Sequence, residues 1–383
     1  MIEMIKEVLP NSIVVVGNSI ASSQPEFLMR TTKTDIAVIG EGEKTFVEIL
    51  KRISSGEDLG GLKGILYKDG KQIIRETSRS PVANLDDKGF PMWDIFDMEA
   101  YIQSAKKYNN ERVYNFIADL RPFPIMTTRG CPYRCTFCSN SSFYKENQVR
   151  AHSPEHIVQL IKTLQEEFNV NYLWFWDELS FISKKQAMPL IEALIEAKLG
   201  VMFSCTIRVG FLKKGDDEFA KMMKDAGCVQ ANYSLESGSP EILKAMNKKI
   251  DPKWFPIQKR VLDEAGIISQ TNLVLGYPQE TEKTIEETFN ICYESDIMPS
   301  VGILLRAPGS LMYDYALENG DIENEEEYIL NIGERQNMKI NMTSMPDGRL
   351  EELANYHLKR IRDKLNLNID DDHLICGTVI KED

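Results

Sequence analysis

No apolar run in this 383-residue chain approaches the roughly 18 residues needed to cross a bilayer. The first residues, Met1-Ile2-Glu3-Met4-Ile5-Lys6, lack the basic-then-apolar order of a secretory signal, so none is expected. No cluster of Lys and Arg stands out, and acidic residues outnumber basic ones by 58 to 45, for a formal net charge of −13. That balance argues against a general binder of nucleic acid or anionic membranes, while leaving room for a local basic pocket facing one anionic substrate. Histidine is scarce: His152, His156, His357 and His373 show no ligand spacing to one another and read as surface or helix residues. A disulfide framework is missing too. The seven cysteines are odd in number and lack secreted-domain spacing, which points to a reducing, cytoplasmic setting. What is present, 43% hydrophobic and 27% charged residues, suits a globular chain with room for two or three domains.

Three of the cysteines stand together. Arg129-Gly130-Cys131-Pro132-Tyr133-Arg134-Cys135-Thr136-Phe137-Cys138 spaces them C-x3-C-x2-C, and the apolar, β-branched Pro124-Ile125-Met126-Thr127-Thr128 before them reads as a strand. The cysteines therefore lie on a loop past a strand's C-terminal end, where three thiolates can converge on one soft metal centre. A structural zinc site wants a fourth ligand nearby, and Cys205, Cys228, Cys292 and Cys376 offer no CxxC-type neighbour. Three ligands and one open position describe a cubane iron–sulfur cluster with an exchangeable iron.

Around this loop, short apolar segments alternate with amphipathic ones. Candidate strands are 124–128, 172–176, 201–206, 230–235, 270–275 and 300–305. Helices are expected at 154–168, 184–197, 216–226, 240–247 with 252–265, and 282–294, the first opened by Ser153 as N-cap and Pro154 at the first helical position. Six such repeats predict an α/β fold with an open (β/α)6 TIM-like partial barrel over 121–315, whose functional residues sit at the strands' C-terminal ends. Upstream, 1–58 reads as helix, strand, helix, strand, helix, with buried strands at 12–16 and 35–39. Residues 59–120 form a connector. It holds a β-hairpin about Asp69-Gly70, a Pro-punctuated strap at 85–93 and a short strand at Tyr114-Asn115-Phe116-Ile117. Residues 316–383 are a charged helical extension, with Leu353, His357, Ile361 and Leu365 at helical spacing in one amphipathic helix.

CxxxCxxC after a first strand, with Phe137 before the last cysteine, resembles the radical S-adenosylmethionine superfamily. Glu236-Ser237-Gly238-Ser239 after the fourth strand, Gly276-Tyr277-Pro278-Gln279-Glu280-Thr281 after the fifth and Pro308-Gly309-Ser310 after the sixth resemble its cobalamin-associated branch. The likeness covers about residues 60–320 and, weakly, 11–58. There, a strand ending in Gly17 and one ending in Gly40-Glu41-Gly42-Glu43 look like the last two βα units of a cobalamin-binding Rossmann-like domain. The family's Asp-x-His-x-x-Gly loop would lie before Met1, and Gly17-Asn18 stands where a Gly-Gly pair is usual. The remnant is expected to have an exposed sheet edge and to bind cobalamin weakly or not at all.

The resemblance implies that Cys131, Cys135 and Cys138 hold a 4Fe-4S cluster whose fourth iron chelates S-adenosylmethionine. Reductive cleavage would then give a 5′-deoxyadenosyl radical that attacks an unactivated carbon of a small or medium substrate. Methyl transfer, cyclisation and rearrangement are its possible outcomes, and a flavodoxin- or ferredoxin-type donor would supply the electron. Phe137 would border the adenine, with Gly276 and Pro278 letting the backbone pass close to it. Glu236, with Ser237 beside it, would hold the ribose hydroxyls or else cap the following helix. Asp177 and Glu178 would meet the methionine amine or serve as a cap or surface pair. Arg208 would pair with the methionine carboxylate or with a structural partner. Arg150 has an open role. The competing class is a non-catalytic iron–sulfur or zinc protein on the same scaffold.

Overall fold

The computed structural model describes residues 1–107, 119–143, 149–332, 340–371 and 374–375. The strand expected at 114–117, His373 and Cys376 lie outside these described residues. The chain divides into two compact units, one of Met1–Ala83, Arg134–Gln148 and Arg306–Leu330, the other of Asn84–Tyr133, Val149–Leu305 and Asn331–Asp383. Among the described residues, no helix is long and apolar enough to cross a membrane.

In the first unit, β1 (Val15–Val16) runs parallel to β2 (Ile36–Val38). The hairpin β3 (Ile65–Asp69) and β4 (Gln72–Arg75) then adds antiparallel to β2, with Ile36 opposite Tyr67 and Val38 opposite Ile65. The sheet order is thus β1-β2-β3-β4, so the connector's hairpin pairs one side of β2 and β1 remains an edge strand. Strand alternation explains why this works. Ile36, Val38 and Ile65 join Ile49 and Leu62 in one cluster, while Ala37 and Leu66 join Ala21, Leu28 and Met29 in another. Helix Glu43–Ser55 supplies Ile49, and helices Asn18–Ser23 and Pro25–Thr31 supply the other cluster, so the sheet is covered on both faces.

The second unit holds the barrel strands β5 (Pro122–Ile125), β8 (Tyr172–Phe175), β9 (Met202–Thr206) and β10 (Cys228–Asn232), all parallel. The fifth strand is split. Its first half, β11 (Ile268–Gln270), pairs with β10, and its second half, β12 (Asn272–Leu275), pairs with β13 (Ser300–Ile303). The break falls at the wholly buried Thr271. Its hydroxyl donates to the Tyr233 carbonyl at 3.0 Å and accepts the Leu235 N–H at 3.1 Å, replacing ladder bonds by side-chain ones. A single bridge, Glu236 to Leu273, carries the pairing onward.

Helices Pro154–Phe168, Lys184–Ala197, Asp217–Asp225, Pro240–Ala245, Trp254–Glu264 and Glu282–Glu294 separate these strands. Their apolar stripes pack on one core that includes Ile157, Ile161, Ile191, Phe203, Phe289 and Leu275. The final helix, Arg349–Lys364, buries Leu350, Ala354, His357, Leu358 and Ile361, while Leu353 and Leu365 are only half-buried. The stripe read from sequence is therefore rotated toward Leu350 and Ala354. His357 stacks on Phe289, centroids 5.0 Å apart, so it serves packing.

Candidate active site

The cysteine loop leaves the first barrel strand through a built exit. β5 stops at Ile125, and β6 (Thr128–Arg129) pairs antiparallel with β7 (Arg150–Ala151), closing the chain on either side of the loop into a ribbon. Arg150 is buried there, opposite Arg129. The agent that ends β5 is Asp177. Its carboxylate accepts the Thr127 N–H at 2.7 Å, the Thr127 hydroxyl at 2.7 Å and the Thr128 N–H at 2.9 Å. Burial pushes this carboxyl's pKa up, and the bonds from Thr128, Thr127 and Ser180 oppose that. Asp177 thus faces the backbone that leads into the loop, with its lone pairs occupied. Glu178, next in sequence, accepts the Gly130 N–H at 3.1 Å through one oxygen. Both acids act on the strand-to-loop joint one residue or more before Cys131.

Cys131, Cys135 and Cys138 are half-buried and free of disulfides. In the first unit the Cys138 N–H donates to the Cys135 carbonyl at 3.1 Å, a tight turn that brackets Phe137. The donor set fits an iron–sulfur cluster. Three cysteines on eight residues carry no disulfide, while Cys205, Cys228 and Cys292 are buried in the barrel core, where burial drives the Cys292 thiol's pKa far above its ordinary value.

Arg208, Lys248 and Glu236 form a connected set with the loop's Tyr133. The Arg208 guanidinium lies 3.5 Å above the Tyr133 ring and donates to the Lys248 backbone carbonyl. The Lys248 ammonium donates to Glu236 Oε1 at 2.8 Å, with side chains 10% and 8% exposed, so this ion pair is buried. Glu236 adopts φ +61°, a left-handed conformation that a non-glycine residue holds only under constraint. Sequence reading placed Glu236 and Arg208 at the site but missed Lys248. The only signal was its position twelve residues on, in Met246-Asn247-Lys248 after the helix.

Ser237 and Gly238 turn the other way. The Ser237 and Thr288 hydroxyls lie 3.0 Å apart, and the Thr288 hydroxyl accepts the Gly238 N–H at 2.9 Å. A Cβ on Gly238 would stand 2.7 Å from Thr288 Cα, so the loop requires glycine to seat against helix Glu282–Glu294. Ser237 is wholly buried and serves this seat.

Gly276 has φ +102°, and a Cβ there would point at Leu350 and Ile303. It is the dihedral that requires glycine, since those contacts, at 3.5 and 3.6 Å, are ordinary. Pro278 is half-buried. Their turn is held by Glu280, whose Oε2 accepts the N–H of Gly276 and, at 3.3 Å, that of Tyr277. Burial raises the Glu280 carboxyl to about 7 from an ordinary 4.5. The folded state therefore holds this proton more tightly. The stability it contributes is full below pH 4.5 and is lost as pH rises through 7. We expect the stability of wild type relative to Glu280→Gln to fall by up to about 3 kcal/mol between roughly pH 5 and 8. Urea unfolding of the two proteins checks this, and parallel pH profiles would contradict it.

Residues 125–292 match the protein-family model for the Radical SAM superfamily. The chain is 29% identical over 317 residues to an uncharacterized methyltransferase of Pyrococcus horikoshii, covering 82% of this chain and 65% of that protein. It is 27% identical over 298 residues to the anaerobic magnesium-protoporphyrin IX monomethyl ester cyclase of Rubrivivax gelatinosus, covering 76% of this chain and 50% of the cyclase. The solved structure of the radical S-adenosylmethionine methyltransferase TsrM of Kitasatospora setae, with cobalamin and a 4Fe-4S cluster bound, shares the fold. Its TM-score is 0.64 at 18% identity, over 84% of this chain and 60% of that one. The chain spans between 50% and 65% of the length of these two curated relatives. The match runs from the end of β5 into helix Glu282–Glu294, the stretch that carries the cysteine loop and the Glu236 and Gly276 turns, so residues 125–292 match the radical S-adenosylmethionine superfamily and the chain is similar to methyltransferase and cyclase relatives.

Proposed function

We propose that this chain is a radical S-adenosylmethionine enzyme that modifies an unactivated carbon of a small or medium molecule. The observation that carries the reading is the cysteine loop itself, its exit clamped by Asp177 and Glu178 while its three thiols stay free of disulfides. Cys131, Cys135 and Cys138 would hold a 4Fe-4S cluster, which supplies the electron that cleaves the sulfonium of S-adenosylmethionine to a 5′-deoxyadenosyl radical. Asp177 is occupied by Thr127 and Thr128, so Glu178 is the better partner for the methionine amine. Arg208, fixed by Tyr133 and the Lys248 carbonyl, would meet the methionine carboxylate. Glu236 would accept from the ribose hydroxyls through the oxygen that Lys248 leaves free of its bond, and Phe137, Gly276 and Pro278 would border the adenine. A flavodoxin- or ferredoxin-type donor in the cytoplasm would deliver the electron. Nothing in the comparisons supports a non-catalytic cluster holder.

Relatives are named both as methyltransferases and as a cyclase. In the first unit, the turns after β1 and β2 are tied by the Gly40 N–H donating to the Ser22 hydroxyl at 2.9 Å. Cβ atoms added at Gly17 and Gly40 would meet nothing within 4 Å, so both turns face open space. The residues of this unit include no histidine to ligate cobalt. The test is anaerobic reconstitution, reduction, and assay of 5′-deoxyadenosine and methionine from S-adenosylmethionine, with and without hydroxocobalamin. Cluster-loaded protein that binds S-adenosylmethionine and never cleaves it would overturn the proposal. Corrinoid co-eluting with the chain in near-equal amount would make methyl transfer the leading activity.

A further inference from the structure

A strap residue and two histidines come together just past β7, where the His152 N–H donates to the Thr127 carbonyl at 2.9 Å. Asp86 lies in the 3-10 turn Leu85–Lys88. His152 and His156 flank Ser153, the N-cap of helix Pro154–Phe168. His152 Nδ1 is 2.7 Å from Asp86 Oδ1, and His156 Nδ1 is 3.6 Å from the same oxygen. The imidazoles stack, with centroids 4.4 Å apart and planes 13° from parallel. One ligand atom from each of the three residues lies within 4.8 Å of the other two.

We propose that Asp86, His152 and His156 form a second metal site, which takes a divalent transition ion of the zinc type and ties the strap to the first barrel helix. The donor set is two imidazole nitrogens and one carboxylate oxygen, which suits zinc and its neighbours rather than magnesium or calcium. One carboxylate oxygen cannot hydrogen-bond both imidazoles here, since 3.6 Å is beyond a hydrogen bond. A cation between the three would satisfy both rings at once.

The surroundings hold these ligands in place, as the groups that hydrogen-bond to ligands do at metal sites. Asn84 Oδ1 accepts the Asp86 N–H at 3.1 Å, and the Ser153 N–H lies 3.3 Å from both Asp86 oxygens. The Ser153 hydroxyl accepts the His156 N–H at 3.1 Å, and the Phe90 ring meets His156 edge-on at 4.8 Å. The helix N-terminus by itself disfavours a cation, and the Asp86 charge at that end offsets it. Side-chain exposures of 13%, 12% and 26% leave water a route to complete the coordination. The structure corrects the absence of ligand spacing read from the sequence: the four-residue step from His152 to His156 is brought onto one side at the helix start. It is legible only once Asp86, 66 residues before His152, is placed beside it.

The experiment loads cluster-reconstituted protein with zinc, removes loose metal by desalting over a weak chelator, and counts zinc and iron by mass spectrometry. About one zinc per chain is expected to stay bound beyond the iron. His156→Ala and Asp86→Asn should each lower retained zinc at least tenfold with iron content unchanged. A variant with all three loop cysteines replaced by alanine should still retain zinc, which separates this site from the cluster ligands. Zinc should also raise the thermal midpoint of wild type and not that of His156→Ala, whose folding is verified by its iron content. No zinc on wild type, equal zinc on wild type and the two site variants, or loss of zinc only with the cysteines would each overturn the site, leaving a plain histidine–aspartate clamp.

Discussion

Alanine at any one of Cys131, Cys135 or Cys138 is expected to give colourless protein without bound cluster, against about four irons and four sulfides on anaerobically reconstituted wild type. With only three cysteine ligands for four irons, losing one leaves half the metal without a protein ligand, and the other cysteines among the described residues are buried. Cys205, Cys228 and Cys292 are buried in the barrel core. Ligation requires the thiolate, and burial holds the Cys292 thiol in its protonated form, as burial and the Cys228 sulfur 3.8 Å away do for Cys205. Cys292→Ala is therefore the control. It removes one buried sulfur from the packing of helix Glu282–Glu294 and should leave iron, sulfide and the visible spectrum as in wild type. Full iron in Cys135→Ala, or a bleached Cys292→Ala, would break the assignment of the loop as the cluster's seat.

The parts of this molecule that sequence disclosed are those fixed locally. The spacing of three cysteines after an apolar strand needs no tertiary knowledge. Nor does the alternation that marks 154–168, 184–197 and 282–294 as helices, bounds the structure reproduces. What sequence did not disclose depends on partners distant along the chain. The hairpin at Asp69-Gly70 was legible, but not that β3 would pair with β2, because a hairpin's pattern does not name its neighbour. The fifth strand read as one piece, and only a threonine hydroxyl reaching Tyr233 and Leu235 shows why it breaks. Asp177 sits at a strand end, as a ligand-binding carboxylate would. Its lone pairs go instead to Thr127 and Thr128, fifty and forty-nine residues earlier. Lys248 was passed over because a lysine in a charged stretch ordinarily marks a solvated surface, whereas here its carboxylate partner is buried with it.

That buried pair has the second large consequence. Lys248→Met should destabilise the protein by roughly 3–5 kcal/mol, because Glu236 would then hold an uncompensated charge in the interior. Glu236→Gln leaves the Lys248 ammonium without its counter-charge, but the amide oxygen still accepts from it, so the loss of stability should be smaller than for Lys248→Met and the cluster should survive. If Glu236 meets the ribose, a neutral amide there would lose one charge-assisted hydrogen bond, weakening S-adenosylmethionine binding by on the order of 1.5–3 kcal/mol. Calorimetry on cluster-loaded protein separates the two roles. If Glu236 faces the nucleoside, Glu236→Gln shifts affinity far more than the thermal midpoint. If it serves Lys248 alone, the midpoint drops and affinity holds, and the double variant Glu236→Gln, Lys248→Met recovers much of the stability lost by Lys248→Met, because no unpaired charge is left inside.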